Sequence, residues 1–379
     1  MEYLQSHVIH LQNVVINSSK AVGVRRGGED ITHVRYQKEN MEYFTFTDRF
    51  VTTACSGKSR LKKMFKLAYK QNRIAPNSMY TIITAIAELE GGTTMYEGSL
   101  EGLTVGIIRS DYANMYWTVI ELYSAYLTAR EMNRAAAETT ILILDAHPAT
   151  GLDGLWELFF KKVVRVGWLK TTTFLEQFAL VPHLKLVPIV RGEKPVPYID
   201  DFRYDVSYRA GGFQGRRIDC DRIKITLVLR RNYIAHSRNF GGIIGRQFNN
   251  SDDLTRSLKS TFPKDLVRAV ALETLTVSEQ IRLATETDIL IGVHGAGLTL
   301  TLFQVPGTGL IELFTFDYRL YRNNHMEKLA VLGGRFYSSW YSDIMFANSV
   351  YVPPGVLTDM VVNTRGRICN CTEGHHKIN

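Results

Sequence analysis

The segment DILIGVHGAGLT, starting at Asp288, constrains the fold of this chain more than any other stretch. Its apolar run Ile289-Leu290-Ile291 predicts a buried strand that stops at Gly292. Gly295-Ala296-Gly297 then lead into an apolar helical pattern. A strand that feeds a helix through a glycine turn leaves the first N–H groups of that helix without intrahelical acceptors. With the helix dipole, those donors form a site for a phosphate or diphosphate. Glycine lets the backbone approach a ligand that a Cβ would hold off. His294 adds a further hydrogen-bonding group at the same place. The spacing G-x-x-G-x-G fits an unliganded strand-to-helix turn equally well, so the surrounding pattern has to decide.

That pattern is α/β. In the second half, strands are predicted at residues 223–229, 266–272, 288–292 and 309–313, with helices at 251–260, 278–284 and 297–304. The first half offers a strand at 103–108, a long aromatic helix at 114–134, a buried strand at 140–144 and a helix around 152–161. Short strands at 8–11 and 14–16 and a basic helix at 61–69 are expected in the first hundred residues. Strands alternating with helices imply parallel sheets covered on both faces. In such sheets ligands gather at the carboxyl ends of the strands. Asp145, His147, Arg230, Arg231, His294 and Glu312 all fall at or near such ends. A polar Gly/Arg-rich stretch at 209–217 interrupts the rhythm and divides the chain into domains of residues 1–215 and 216–379. The last segment of the second domain is free to pack back on the first.

At 379 residues, 45% hydrophobic and 22% charged, the chain has the length for two domains and the composition of a folded protein. Lys and Arg number 45 against 37 Asp and Glu, a formal net charge of +8 that suits an anionic cofactor. The basic residues are scattered with no long run, which sets nucleic acid aside as a partner. The most apolar long window, residues 174–190, contains Glu176, Lys185, Pro182 and Pro188, and is not a membrane helix. No basic-then-apolar signal pattern opens the chain, so no membrane anchor is expected within it. Cys55, Cys220, Cys369 and Cys371 match no zinc spacing. One disulfide to Cys220 or Cys55, or four free thiols, both remain open. Sequons at Asn17, Asn249 and Asn370 mildly favour a secretory location.

Several side chains have the chemistry such a site needs. The guanidinium groups of Arg231 and Arg246 bind phosphate oxygens bidentately, or make ordinary surface ion pairs. Glu312 emerges from an apolar strand and needs a partner if buried: vicinal ribose hydroxyls, an ion pair with Arg319, or a backbone cap. Asp145-Ala146-His147 has one carboxylate where a metal motif has two, which favours Asp145 as the cap of the next helix. Asp111 and Glu121 flank the start of the aromatic helix as general bases or as acids satisfying its dipole.

Four blocks together carry a resemblance. They are RSDYANMYWTVIELYSAY from Arg109, ILDAHPATGLDGLW from Ile143, VLRRNYIAHSRNFGGIIGRQFNN from Val228 and TDILIGVHGAGLT from Thr287. In these the chain resembles glycosyltransferase family 61, over roughly residues 103–336. The resemblance implies a GT-B architecture, two Rossmann-like domains facing a cleft, and inverting transfer from a UDP-sugar. The spacing of the second and third blocks is most similar to the branch that transfers xylose to N-glycans. Transfer of N-acetylglucosamine from its UDP-sugar to protein hydroxyls is the alternative. The family's helix reads Asn-x-x-His-Thr-x-x-Asp, whereas here Asn114 is followed by Trp117 and Glu121. Tryptophan accepts no proton, so a catalytically silent glycan- or nucleotide-binding relative is a third reading.

By the same resemblance Asp111 or Glu121 is the catalytic base. Arg231, Arg246, Asn249, His294, Gly295, Ala296 and Gly297 hold the nucleotide-sugar, and Glu312 its ribose. Asn114, Trp117, Asp145 and His147 lie on the acceptor side. No metal ligand is expected and no cofactor is obligatory beyond the UDP-sugar donor, with an Mn²⁺ effect allowed. The acceptor is a glycan or glycoprotein, and the location is the lumen of the Golgi or endoplasmic reticulum.

Overall fold

The computed structural model describes residues 8–53, 77–88, 95–181, 187–192, 194–213, 215–319, 323–345 and 349–374. The basic helix expected at 61–69 lies outside these residues. The chain divides into two units, Met1–Tyr198 with Ala235–Phe240, and Ile199–Ile234 with Gly241–Asn379.

The first unit is built on a seven-stranded sheet. Its strands are β1 (Ile9–Asn17), β2 (Val51–Thr53), β3 (Ile86–Glu88), β4 (Gly98–Ile107), β5 (Thr140–Ile143), β6 (Lys162–Arg165) and β7 (Thr172–Leu180). They lie in the order β3-β2-β1-β7-β4-β5-β6. All neighbours are parallel except those of β1, which runs antiparallel to β2 and β7. The sheet is therefore mixed, not the all-parallel Rossmann-like sheet expected. The two short runs expected near the start are one strand, β1, whose pairing continues through Asn13 at φ 51°. The apolar window at 174–190 begins inside β7, which is flanked by β1 and β4 and buries Leu175, Phe178 and Leu180. The first part of that window is thus a central strand of the sheet, buried from Phe178 to Leu180. Among the described residues no helix is long and apolar enough to cross a membrane.

Two helices of this unit matter for the site. In α1 (Met115–Glu131), Val119, Ile120, Leu122, Tyr123 and Tyr126 are all buried. A helix buried on every side belongs inside a unit rather than on its surface. The second, α2 (Asp153–Phe159), buries Leu155, Trp156 and Phe159.

The second unit follows the expected alternation. Its strands β8 (Lys224–Leu229), β9 (Leu266–Ala271), β10 (Ile289–Val293), β11 (Gly309–Phe314) and β12 (Phe336–Tyr341) form one sheet in the order β9-β8-β10-β11-β12. Every pair is parallel. The order reverses between β8 and β10, and in sheets of this kind ligands gather at the carboxyl ends of the strands on either side of such a reversal. Helices α3 (Ile199–Arg209), α4 (Ser251–Thr261), α5 (Val277–Glu286), α6 (His325–Leu332) and α7 (Pro354–Gly374) accompany the sheet. The units change at Tyr198, ahead of the polar stretch at 209–217. The reason is that α3 buries Phe202 and Val206, and Arg203 Nε donates to Leu302 O at 2.7 Å. Arg216 then ties the polar stretch to the same unit through Asp288, at 2.6 Å. The closing helix α7 inserts Leu357, Val361 and Ile368 into the second unit's core. A disulfide joins Cys369 on α7 to Cys220, with Cα atoms 5.8 Å apart.

Candidate active site

At the reversal in the second unit's sheet, β8 ends in Arg230-Arg231 and β10 ends in His294. His294 Nδ1 lies 2.5 Å from Glu312 Oε1, and Tyr337 donates its hydroxyl to Glu312 Oε2 at 2.7 Å. Glu312 has no exposed surface, so engagement of both oxygens is what makes its burial tolerable. The contact with Glu312 fixes the orientation of the imidazole. The ring also stacks on Phe314, with centroids 5.1 Å apart. Burial, and then the neighbouring Glu312, push the Tyr337 phenol far above its usual range.

Arg246 joins the same group: its Nη1 donates to His294 O at 2.8 Å. Its backbone sits at φ 61°, a left-handed conformation that costs a residue with a Cβ on the order of 1–2 kcal/mol. Gly295 leaves room for the Arg230 guanidinium to lie against the turn, where a Cβ would push that side chain aside. Residues Ala296–Phe303 form a 3₁₀ helix capped by Gly295. The expected glycine turn is thus present, but it leads into tighter winding than the expected α-helix. Arg231 is exposed. Asn249 is exposed too, with its N–H held by Val350 O at 2.9 Å, while the neighbouring Asn250 clasps Val352 through its side chain.

The first unit holds a second charged group. Asp145 is fully buried and accepts from Arg109 at 2.8 Å and 3.1 Å, and from the Arg109 backbone N–H at 2.9 Å. Burial alone would raise its pKa, but the Arg109 guanidinium overrides this and holds the carboxyl well below its usual range. Arg109 reaches Asp153 at 2.6 Å, and Asp153 in turn accepts from Arg165 at 2.8 Å. Asp145 is therefore the counterion of a buried arginine rather than a helix cap. His147, with Nδ1 3.3 Å from Asp145, is pushed down to about 3 by burial and stays neutral at physiological pH.

Around the start of α1, Asn114 caps the helix, accepting from the N–H of Tyr116 at 3.0 Å and of Trp117 at 3.5 Å. The Trp117 indole packs edge-on to Tyr116. Glu121 is buried, with Oε1 accepting the Ser110 N–H at 2.6 Å and Oε2 without a partner among the described residues. Burial pushes its carboxyl up to about 8, so it keeps its proton at neutral pH. Asp111 is partly exposed and lies 3.4 Å from His236 Nε2. Beside this pair, buried Glu42 accepts from the Tyr112 hydroxyl at 3.0 Å and from Ser237 Oγ at 3.1 Å.

A family model described as Glycosyltransferase 61 matches residues 43–311. The chain belongs to this glycosyltransferase family. Sugar transfer is its activity. It is 21% identical over 418 residues to the beta-1,2-xylosyltransferase of Arabidopsis thaliana, a match covering 94% of this chain and 77% of that protein. It is 22% identical to beta-1,2-xylosyltransferase RCN11 of Oryza sativa subsp. japonica, over 79% of this chain and 61% of that protein. It is also 27% identical to the EGF domain-specific O-linked N-acetylglucosamine transferase of Mus musculus, over 67% of this chain and 49% of that protein. The chain thus spans about half to three quarters of these relatives.

In this glycosyltransferase the structure brings together Arg246, His294, Gly295 and Glu312. Asn249 and Arg231 are exposed and make no hydrogen bond to that group among the described residues. Glu42, His236 and Ser237 escaped sequence reasoning. His236 and Ser237 do lie in the arginine block, but the contact of Ser237 with Glu42 spans 195 residues and has no local signal.

Proposed function

We propose that this glycosyltransferase is an inverting GT-B enzyme that moves xylose from UDP-xylose to a hydroxyl of an N-glycan core. The observation that carries the donor half is Arg246 bonded to the His294 carbonyl, with the His294 ring held by Glu312, at the strand-order reversal of a parallel sheet. In the reaction the acceptor oxygen attacks the anomeric carbon from the face opposite the diphosphate. The bond to the diphosphate breaks, and its electrons leave with UDP. Arg231, Arg246 and the turn Gly295-Ala296-Gly297 stabilise that departing charge, with Asn249 and His294 beside the nucleotide. We assign Glu312 to orienting His294, in place of direct contact with the ribose. Asp111, paired with His236, accepts the acceptor's proton; Glu121 already holds one at neutral pH. Asn114, Trp117, Asp145 and His147 shape the acceptor side.

With arginines and a helix start on the diphosphate, we expect no obligatory metal and at most activation by Mn²⁺. The identity to the mouse N-acetylglucosamine transferase favours a second reading with UDP-N-acetylglucosamine as donor and a protein hydroxyl as acceptor. Residence in the lumen of the endoplasmic reticulum or Golgi is supported by the Cys220–Cys369 disulfide and by the exposure of Asn249 and Asn370, each the first residue of a sequon.

The test is UDP release with each donor in turn, with and without an N-glycan acceptor, before and after EDTA. Acceptor-dependent release from UDP-xylose is the expected result. Release from UDP-N-acetylglucosamine alone transfers the assignment to the second reading. UDP binding without turnover, restored by Trp117→His, identifies a silenced relative.

A further inference from the structure

A cavity of about 760 Å³ opens within the first unit, bounded by α2, β6 and the turn that holds Trp168. Ligand sites usually span roughly 300–1,000 Å³. Leu100, Val164 and Leu169 supply aliphatic wall, and Trp156 and Trp168 supply aromatic wall. None of these residues belongs to the His294 group or to the Asp111–His236 pair.

Trp168 is the exposed one of the four tryptophans, at 57%. Its ring is nonetheless held in place. The indole N–H donates to Gly27 O at 2.7 Å, and the Arg26 guanidinium lies 3.9 Å over the ring. Arg26 is fixed in turn by its Nε donating to Gly167 O at 2.6 Å. A ring ordered this way offers an apolar surface at little further entropic cost.

The polar lining is of two kinds. Asp153 and Arg165 satisfy each other, whereas the side chains of Glu157, Lys162 and Lys170 have no bonded partner among the described residues. An anionic ligand would meet Glu157, and a cationic one would meet both lysines. A neutral polyhydroxylated ligand suits both signs, since hydroxyls donate to a carboxylate and accept from ammonium groups. The C–H face of a pyranose also matches an indole surface. The cavity shares a wall with the Asp111 region: Thr150 lines it and donates its hydroxyl to Tyr112 O at 2.9 Å.

We propose that this cavity is an oligosaccharide subsite that holds neutral sugar residues of the acceptor, beyond the one that reacts. It rests on the proposed reading only for the choice of a glycan over other polyhydroxylated ligands.

The test is calorimetric titration of the whole protein, without nucleotide, with two probes. One is the neutral N-glycan core pentasaccharide of mannose and N-acetylglucosamine, and the other a sulfated pentasaccharide. The neutral probe is expected to bind, with Trp168→Ala weakening it about tenfold or more and exposed Glu157→Ala several-fold. Arg246→Ala is expected to leave this binding unchanged. If Trp168→Ala does not fold, Glu157→Ala and Lys170→Ala carry the test. The proposal is overturned if the neutral probe does not bind, if only the sulfated probe binds, or if these substitutions leave the affinity unaltered. Binding here without acceptor-dependent turnover of UDP-xylose would keep the subsite and sink the proposed reading; such turnover with no binding here would do the reverse.

Discussion

The His294 group in the second unit and the Asp145 network in the first both bury charge at the ends of parallel strands, but they are assembled over different distances. His294 and Glu312 stand 18 residues apart, one at the end of β10 and one inside the adjacent β11. Arg246 reaches the same place from a nearby loop. Every member follows from one parallel sheet and its order. The first unit draws Asp145 to Arg109 across 36 residues and then adds Glu42 and Ser237 across 195. Adjacent parallel strands with short connections keep a site local in sequence, whereas the Glu42–Ser237 contact is distant because residues Ala235–Phe240 belong to the first unit. The comparison also separates roles: the His294 group has one exposed arginine beside it, as the proposed donor site requires, whereas Asp145 and Arg109 have nearly no exposed surface and serve each other.

The largest effect expected from that contrast is on stability. Asp145→Asn leaves the Arg109 guanidinium without its main counterion in a buried site, which should lower the unfolding free energy by about 3–5 kcal/mol. Urea denaturation reads this directly, and an unchanged midpoint would mean the network is not structural. Next comes Arg246→Gly, which removes a guanidinium and also relieves a left-handed backbone. Turnover should drop by about 10²–10³, the usual cost of losing one donor to a developing charge, while thermal stability barely moves. Full activity in this variant would break the division between a ligand-serving and a self-serving cluster.

The smallest effect is in the pH dependence of stability. Glu121 has its carboxyl raised from 4.5 to about 8 by burial. Below about 4.5 both folded and unfolded states hold the proton; between there and about 8 only the folded state does. Stability therefore falls as pH rises through that window. Glu121→Gln should flatten the decline, measured as unfolding midpoints from pH 5 to 8. An unaltered slope would show that the carboxyl is ionised in the folded protein.

Much of the second unit was legible because its signals are local. Apolar runs that end at glycine or arginine mark strand ends, and the strands at 223–229, 288–292 and 309–313 are found within a residue of those limits. Asn114 was legible as part of the aromatic helix block, and the structure makes it that helix's cap.

By itself, then, the sequence determined the α/β alternation of the second unit, its glycine turn with His294, and the arginine block, because periodicity and turn chemistry act over a few residues. Only the tertiary structure decided the reversed direction of β1, the pairing of Cys369 with Cys220, the capture of Ala235–Phe240 by the first unit, and the hold of Glu312 on His294. Each of these depends on which buried surfaces and polar groups meet across long stretches of chain. That choice is made by the packing of whole units, where a buried carboxylate such as Glu312 is stable only beside the donors the fold brings to it.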